Sequence, residues 1–349
     1  MNGGVLTLFQ LWLIAGAGLL AASSDGVPTC RCDTVWVVEA AARMTTPPLC
    51  THSCAWTSHR GAIQAYSLVD GARLYRYKTR ATMRLSSLGG DSVLAFLPHR
   101  KGAVLTFGSL PPGLLLRHRP RDPVTAADCQ GSQAALLFPH GMTRLVNGTW
   151  TPQAFPRAAA PGWTNIEVVS TGSDTVTILS RRSGTTYIAW RDSLVAMAAE
   201  FRGGVVEAAA AGDSLLLVGG EGALALYDLA RGTVWKSSLP SGLQFDPVIV
   251  GNRIWAACRD RRLVLTDVGG STPSREWSLT GPLSCPLAAY GEGVAWGTFD
   301  GSVWMMVSPE ATPTRLTRLK RPAVGVASSG RLLVVAQEDG RLLGLRPLQ

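Results

Sequence analysis

The sequence predicts an all-β chain folded as an eight-bladed β-propeller, with about four antiparallel strands per blade. Three observations predict it. A turn, usually glycine-centred, recurs near Gly61, Gly102, Gly141, Gly184, Gly222, Arg261, Gly301 and Gly340, at intervals of 38 to 43 residues. A period of that length marks a supersecondary unit that must stack on copies of itself. Each turn follows a short apolar, β-branched run bounded by Gly, Asp or Asn, as strands are, and no helical periodicity follows residue 24. The last unit stops at its third strand, and a matching fourth strand stands near the N-terminus.

Residues 1–24 read as a signal peptide or an N-terminal anchor. Val5 to Ala22 is almost wholly apolar and ends in small residues, although Met1 to Gly4 carries no Lys or Arg. Cys30 follows Val27-Pro28-Thr29, which is not a lipidation box. No later stretch is long and apolar enough to cross a bilayer. Residues 25–46 form an N-terminal segment whose strand at about 34–38, "TVWVV", resembles the fourth-strand phrase "TVWKS" from Thr233. That strand is expected to complete blade eight, so both chain ends close the ring and remove a free edge. Residues 47–349 supply the rest of the propeller.

Within a unit the order is constant. A first run ("PVIV" from Pro247) precedes a second ("DSLLLV" from Asp213, "NRIWAA" from Asn252). The turn follows, then a third run ("ALALY" from Ala223) and a fourth that holds an aromatic ("TVWKSS" from Thr233). Gly222 is expected at positive φ in the hairpin, and Gly232 in the next tight turn. Trp36, Tyr75, Trp235 and Trp277 are expected to pack one blade on another.

Residues 61–75, "GAIQAYSLVDGARLY", and 222–235, "GALALYDLARGTVW", resemble the PQQ-like repeat of eight-bladed quinoprotein propellers. The Gly-His and Trp-Asp signature of WD repeats is absent. The resemblance implies one of two roles. Catalytic members bind pyrroloquinoline quinone with calcium in the central funnel; others resemble the propeller lipoprotein that serves as a scaffold in outer-membrane β-barrel assembly. With no adjacent Cys pair, no evident cluster of carboxylates and no long insertions, this chain looks like the second kind. The expectation is therefore a non-catalytic, exported, protein-binding scaffold without a cofactor. A quinone-dependent dehydrogenase and a propeller lyase or glycan-acting hydrolase remain the alternatives.

The formal charge is +9, from 33 Lys and Arg against 24 Asp and Glu. The turns between second and third strands share one face. They carry His59 and Arg60 in blade one, His99, Arg100 and Lys101 in blade two, and His140 in blade three. Blade four adds Arg181 and Arg182; blade six adds Arg259, Arg261 and Arg262. Blades seven and eight carry Asp300, Glu338 and Asp339 instead. A solvated rim would look like this, but so would a basic arc that docks an acidic partner, strengthened by imidazole protonation at low pH. The expected partner is another envelope or secreted protein. Nucleic acid is not expected, and peripheral membrane association is open.

Seven cysteines leave an odd thiol. In an exported chain Cys30, Cys32, Cys50 and Cys54 are disulfide candidates, as is a pair between Cys258 and Cys285. "CTHSC" at Cys50 to Cys54, near His59, could alternatively hold zinc or copper. Asn147-Gly148-Thr149 matches a glycosylation acceptor.

Overall fold

A computed structural model describes residues 29–348 apart from 41–42, 90, 131, 147–148, 155–162, 172–173, 191–192, 198–200, 212–213 and 270–273. The 1–24 segment and Asn147 lie outside the described residues. The described chain is all strand and turn, in eight four-stranded antiparallel sheets. Seven blades are consecutive in sequence: 49–78, 84–118, 126–154, 165–196, 205–238, 248–278 and 288–318. Blade eight combines 323–347 with Cys32–Glu39, which pairs antiparallel with Arg341–Pro347. The ring-closing strand is therefore where the repeat phrase put it, three residues longer than the expected 34–38.

The core is not one mass but eight layers. Each buried apolar cluster draws on two successive blades, and there is one cluster per seam, including the seam between blades eight and one. This is why second and third strands read as continuous apolar runs rather than alternating ones. Leu332–Gln337 and Gly293–Gly297 are buried along their whole length, because a neighbouring blade covers each face. The fourth strands are outermost and half-exposed, as in Gly232–Ser238. The first strands are innermost and face the central channel; successive ones neighbour each other, and those of blades one and eight meet.

Turn chemistry sets the hairpins. Gly222 has φ +90°, and a Cβ there would lie 2.8 Å from the Ser241 carbonyl oxygen, so the loop to the next blade passes too close for a side chain. Gly301 is the same, with φ +87° and Leu319 O at 2.4 Å from the position of a Cβ. Asp228 shapes the following turn: its Oδ1 accepts the Ala230 and Arg231 N–H groups, each at 2.8 Å. Three hairpins depart from the pattern, one of them in blade three, where Gly141 opens the strand without positive φ. Arg261 takes positive φ (65°) without being glycine, and in blade two the positive φ falls on His99 (58°), not Gly102.

Candidate functional site

The turns between second and third strands form one rim. Arg60, His99, Arg100, Lys101, His140 and Arg182 are exposed on it. His59 is a correction. It is the last residue of the strand Cys54–His59, only 3% exposed, with Nε2 3.2 Å from Gln64 Oε1. It therefore packs the blade and offers nothing to a partner. Arg181 is half-buried, its guanidinium 4.7 Å from the Trp163 ring centroid, a cation–π stack that fixes it.

Blade six does not extend the basic arc as the sequence suggested. Arg259 pairs with Glu221 at 3.4 Å, and Arg262 with Asp260 and, at 2.6 Å, with Glu276. Hydrogen bonds to Asp260 and then Glu276 raise the Arg262 pKa further. Among the described residues, Arg261 is the cation of that turn left without an ion pair. On blade eight Glu338 pairs with Arg43, and Asp339 with Arg341 at 3.7 Å. Among the described residues, the cations of the first four blades that stand on this rim without an ion pair are Arg60, Arg100, Lys101 and Arg182, in blades one, two and four, with His140 between them in blade three.

The channel holds what the sequence reading overlooked. Asp128, Glu167, Glu207 and Asp246 come from blades three to six and line one cavity of about 440 Å³, with Arg84 from blade two. Their spacings of 39, 40 and 39 residues match the repeat, and that is the signal that would have found them. The first strands of blades seven, eight and one carry no carboxylate, so the channel wall is acidic on one side. Burial raises the Glu167 pKa well above the carboxylate range, with Asp128, Glu207 and Asp246 adding and Arg84 opposing. Burial, then Asp128 and Asp246, pushes Glu207 up to about 8. Burial also raises Asp128, against the Val168 N–H that it accepts at 2.7 Å. Gln130 accepts the Ser170 N–H in the same way. Side chains of one inner strand thus satisfy the free edge of the next.

All seven cysteines are free thiols. Cys54 lies in the layer between blades one and two, whereas Cys50 packs on the layer between eight and one. Cys258 lies between blades five and six, and Cys285 between seven and eight, two seams apart. Cys30 and Cys32 pack on the Cys285 layer, with Cys30 Sγ 3.1 Å from Leu348 O and Cys32 Sγ 3.4 Å from Leu316 O. A bridge from Cys50 or Cys54 to Cys30 or Cys32, and the Cys258–Cys285 pair, are therefore absent for a geometric reason, since the partners occupy different seams.

The four aromatics lie in seams. Trp36 is 6% exposed between blades eight and one, and its Nε1–H donates to Leu68 O at 3.0 Å. Tyr75 meets Trp56 and Phe107 edge-on between blades one and two. Trp235 packs between five and six, and Trp277 stacks on Trp255 at 5.6 Å between six and seven.

The family model described as outer membrane protein assembly factor BamB matches residues 172–349. BamB from Moraxella catarrhalis is similar in structure, with a TM-score of 0.65 at 12% identity over 90% of this chain and 99% of that one. The computationally designed Ika8 protein gives 0.69 at 10% identity, over 90% and 99%. Apo AztD from Citrobacter koseri gives 0.61 at 15% identity, over 82% and 88%. At such identities these likenesses show the fold alone. None of the curated proteins matches the chain in sequence.

Proposed function

Because the chain belongs to the family described as outer membrane protein assembly factor BamB, we propose that it is an exported, non-catalytic propeller that holds another envelope or secreted protein. The partner docks on the turn rim of blades one to four. One observation carries this reading: Arg60, Arg100, Lys101 and Arg182 are exposed and, among the described residues, make no ion pair. A surface of unanswered cations steers and orients an acidic partner. Export is supported by the apolar run Val5 to Ala22 and by the family.

The calcium–quinone pair of catalytic propellers fits the channel poorly. The quinone is a tricarboxylate, and among the described residues the cavity offers it four carboxylates against Arg84 and the imidazole of His99. Among the described residues no three His, Cys, Asp or Glu side chains converge to hold a metal ion. A second reading has one observation in its favour. Glu167 and Glu207, with raised pKa values beside Asp128, could serve a glycan-acting hydrolase as proton donors. A lyase acting on acidic uronates is disfavoured by the same negative wall.

The test is a fourfold variant, Arg60, Arg100, Lys101 and Arg182 each to Gln. Retention of the native envelope partner is expected to fall at least about tenfold, since rim charges act on association. Unchanged retention, or glycan turnover abolished by Glu207→Gln, would overturn the scaffold reading.

A further inference from the structure

The outer wall of blades one and two combines two features more densely than the other blades do. The first is charge. Residues 60–121 hold 11 Lys and Arg against two Asp; the remainder of the chain balances at 22 of each. The whole net charge of +9 therefore lies within residues 60–121, the two blades and the segments that follow them. Arg84 turns into the channel cavity. Arg73, Arg76 and Lys78 on one outer strand, and Arg117 on the next, are exposed, with no ion-pair partner among the described residues.

The second feature is apolar projection. Val69 is 83% exposed, Leu110 72%, Leu115 64% and Leu74 50%. Leu74 and Leu115 occupy the same place in the repeat. In each blade the outer strand carries one extra residue against its partner, between Ala65 and Tyr66 or between Thr106 and Phe107. A β-bulge leaves that residue unpaired and re-aims its side chain. Period-two alternation turns Tyr75 and Tyr77 inward onto Phe107, and the bulged leucines stand outside. Val69 and Leu110 lie on the loops that enter the same two outer strands. The four apolar tips therefore gather at one end of a cationic wall.

We propose that this wall seats the propeller on an anionic lipid bilayer. The guanidinium groups meet lipid phosphates, and Val69, Leu74, Leu110 and Leu115 insert among the headgroups. Charge complementarity selects an anionic surface. The form of the apolar side chains selects lipid over protein. They are separate projecting tips beside a row of cations, as in interfacial membrane binding, and not a close-packed apolar centre with a polar rim. The inference goes beyond the partner reading and uses a different surface, the blade wall and not the turn rim.

The test measures co-sedimentation of the full chain with phosphatidylcholine vesicles, alone or with about 30% phosphatidylglycerol. The N-terminal apolar segment is common to every variant, so the ratio of anionic to neutral binding is the readout. Arg73, Arg76, Lys78 and Arg117 to Gln should cut that ratio by about fivefold per cation removed. The same number of changes elsewhere, at Arg202, Arg231, Arg331 and Arg346, should leave it nearly intact. Leu74→Ser with Leu115→Ser should weaken anionic binding, whereas Val234→Ser, at the equivalent bulge of blade five, should not. Circular dichroism confirms folding of each variant. Equal loss in the wall and control sets, no preference for anionic vesicles, or an unaffected leucine variant with an acidic protein bound to the wall would overturn the proposal.

Discussion

Blades one and two differ from blades five to eight in what their arginines face. In the later blades five arginines meet carboxylates across a turn, between strands or across a seam, while Arg231, Lys236 and Arg261 have no ion pair among the described residues. Arg259 reaches back to Glu221, Arg262 joins Asp260 and Glu276, Arg275 reaches Glu310, and Arg253 lies between Asp267 and Glu292. In blades one and two the repeat offers the same strands and turns, but residues 60–121 supply two acids for 11 bases. The scaffold is common to both regions, so it does not dictate the difference. Charges that a repeat does not need for folding, and that no neighbour neutralises, are the ones to examine for function.

The carboxylates of blades three to six sharpen the contrast, because they face inward. Asp128, Glu167, Glu207 and Asp246 line the channel, away from the turn-rim cations, and are left to repel one another. In blade four the acid Glu167 thus faces the axis while Arg182 stands bare on the rim, whereas in blade six the turn arginines Arg259 and Arg262 are paired.

The largest expected effect tests the seam where the two regions meet. Trp36→Ala empties the layer between blades eight and one and removes the hydrogen bond to Leu68. A loss of about 3–5 kcal/mol in denaturant unfolding is expected. A loss below about 1 kcal/mol would mean that closure does not depend on this contact.

The channel comes next. The Glu207 pKa is raised to about 8 in the folded chain, so the native state holds its proton more tightly than the unfolded state does. The associated stability is fully present below the ordinary carboxylate range and is lost as pH rises through about 8. Glu207→Gln should therefore gain roughly 1–3 kcal/mol over the parent at pH 8 relative to pH 5. A parent whose stability rises over that interval, with no gain in the variant, would contradict the inward arrangement.

The smallest effect is expected at the paired arginines. Arg262→Ala removes an exposed pair, so Tm should fall by no more than about 2 °C, with partner retention unchanged. A large loss of partner from this variant would erase the distinction between bare and answered cations.

The architecture was legible because the repeat declares itself. Gly222 and Gly301 mark hairpins that admit no Cβ, and "TVWVV" announced the missing outer strand. The site was legible only in part. His59 stands one residue inside its strand, and that single step turns it from rim to interior. The arginines of blade six looked free because their acids lie across the turn, at Asp260, or elsewhere in the fold, at Glu221 and Glu276. The channel carboxylates sit in or beside short inner strands, of which Val248–Val250 is only three residues long, so they show as a group only when the units are aligned. The cysteines could not be paired from spacing, because spacing does not say which seam a side chain enters. Cys50 and Cys54 are four positions apart and pack on opposite sides of blade one.

The proposed partner surface is the set of bare cations on the rim of blades one, two and four. Photo-crosslinking from single rim positions in the native envelope tests it most directly. A crosslinker at Arg100, His140 or Arg182 should yield one common adduct, and one at Arg259, Asp300 or Asp339 should yield none of it. The same adduct from every blade, or only from blades six to eight, would contradict the account.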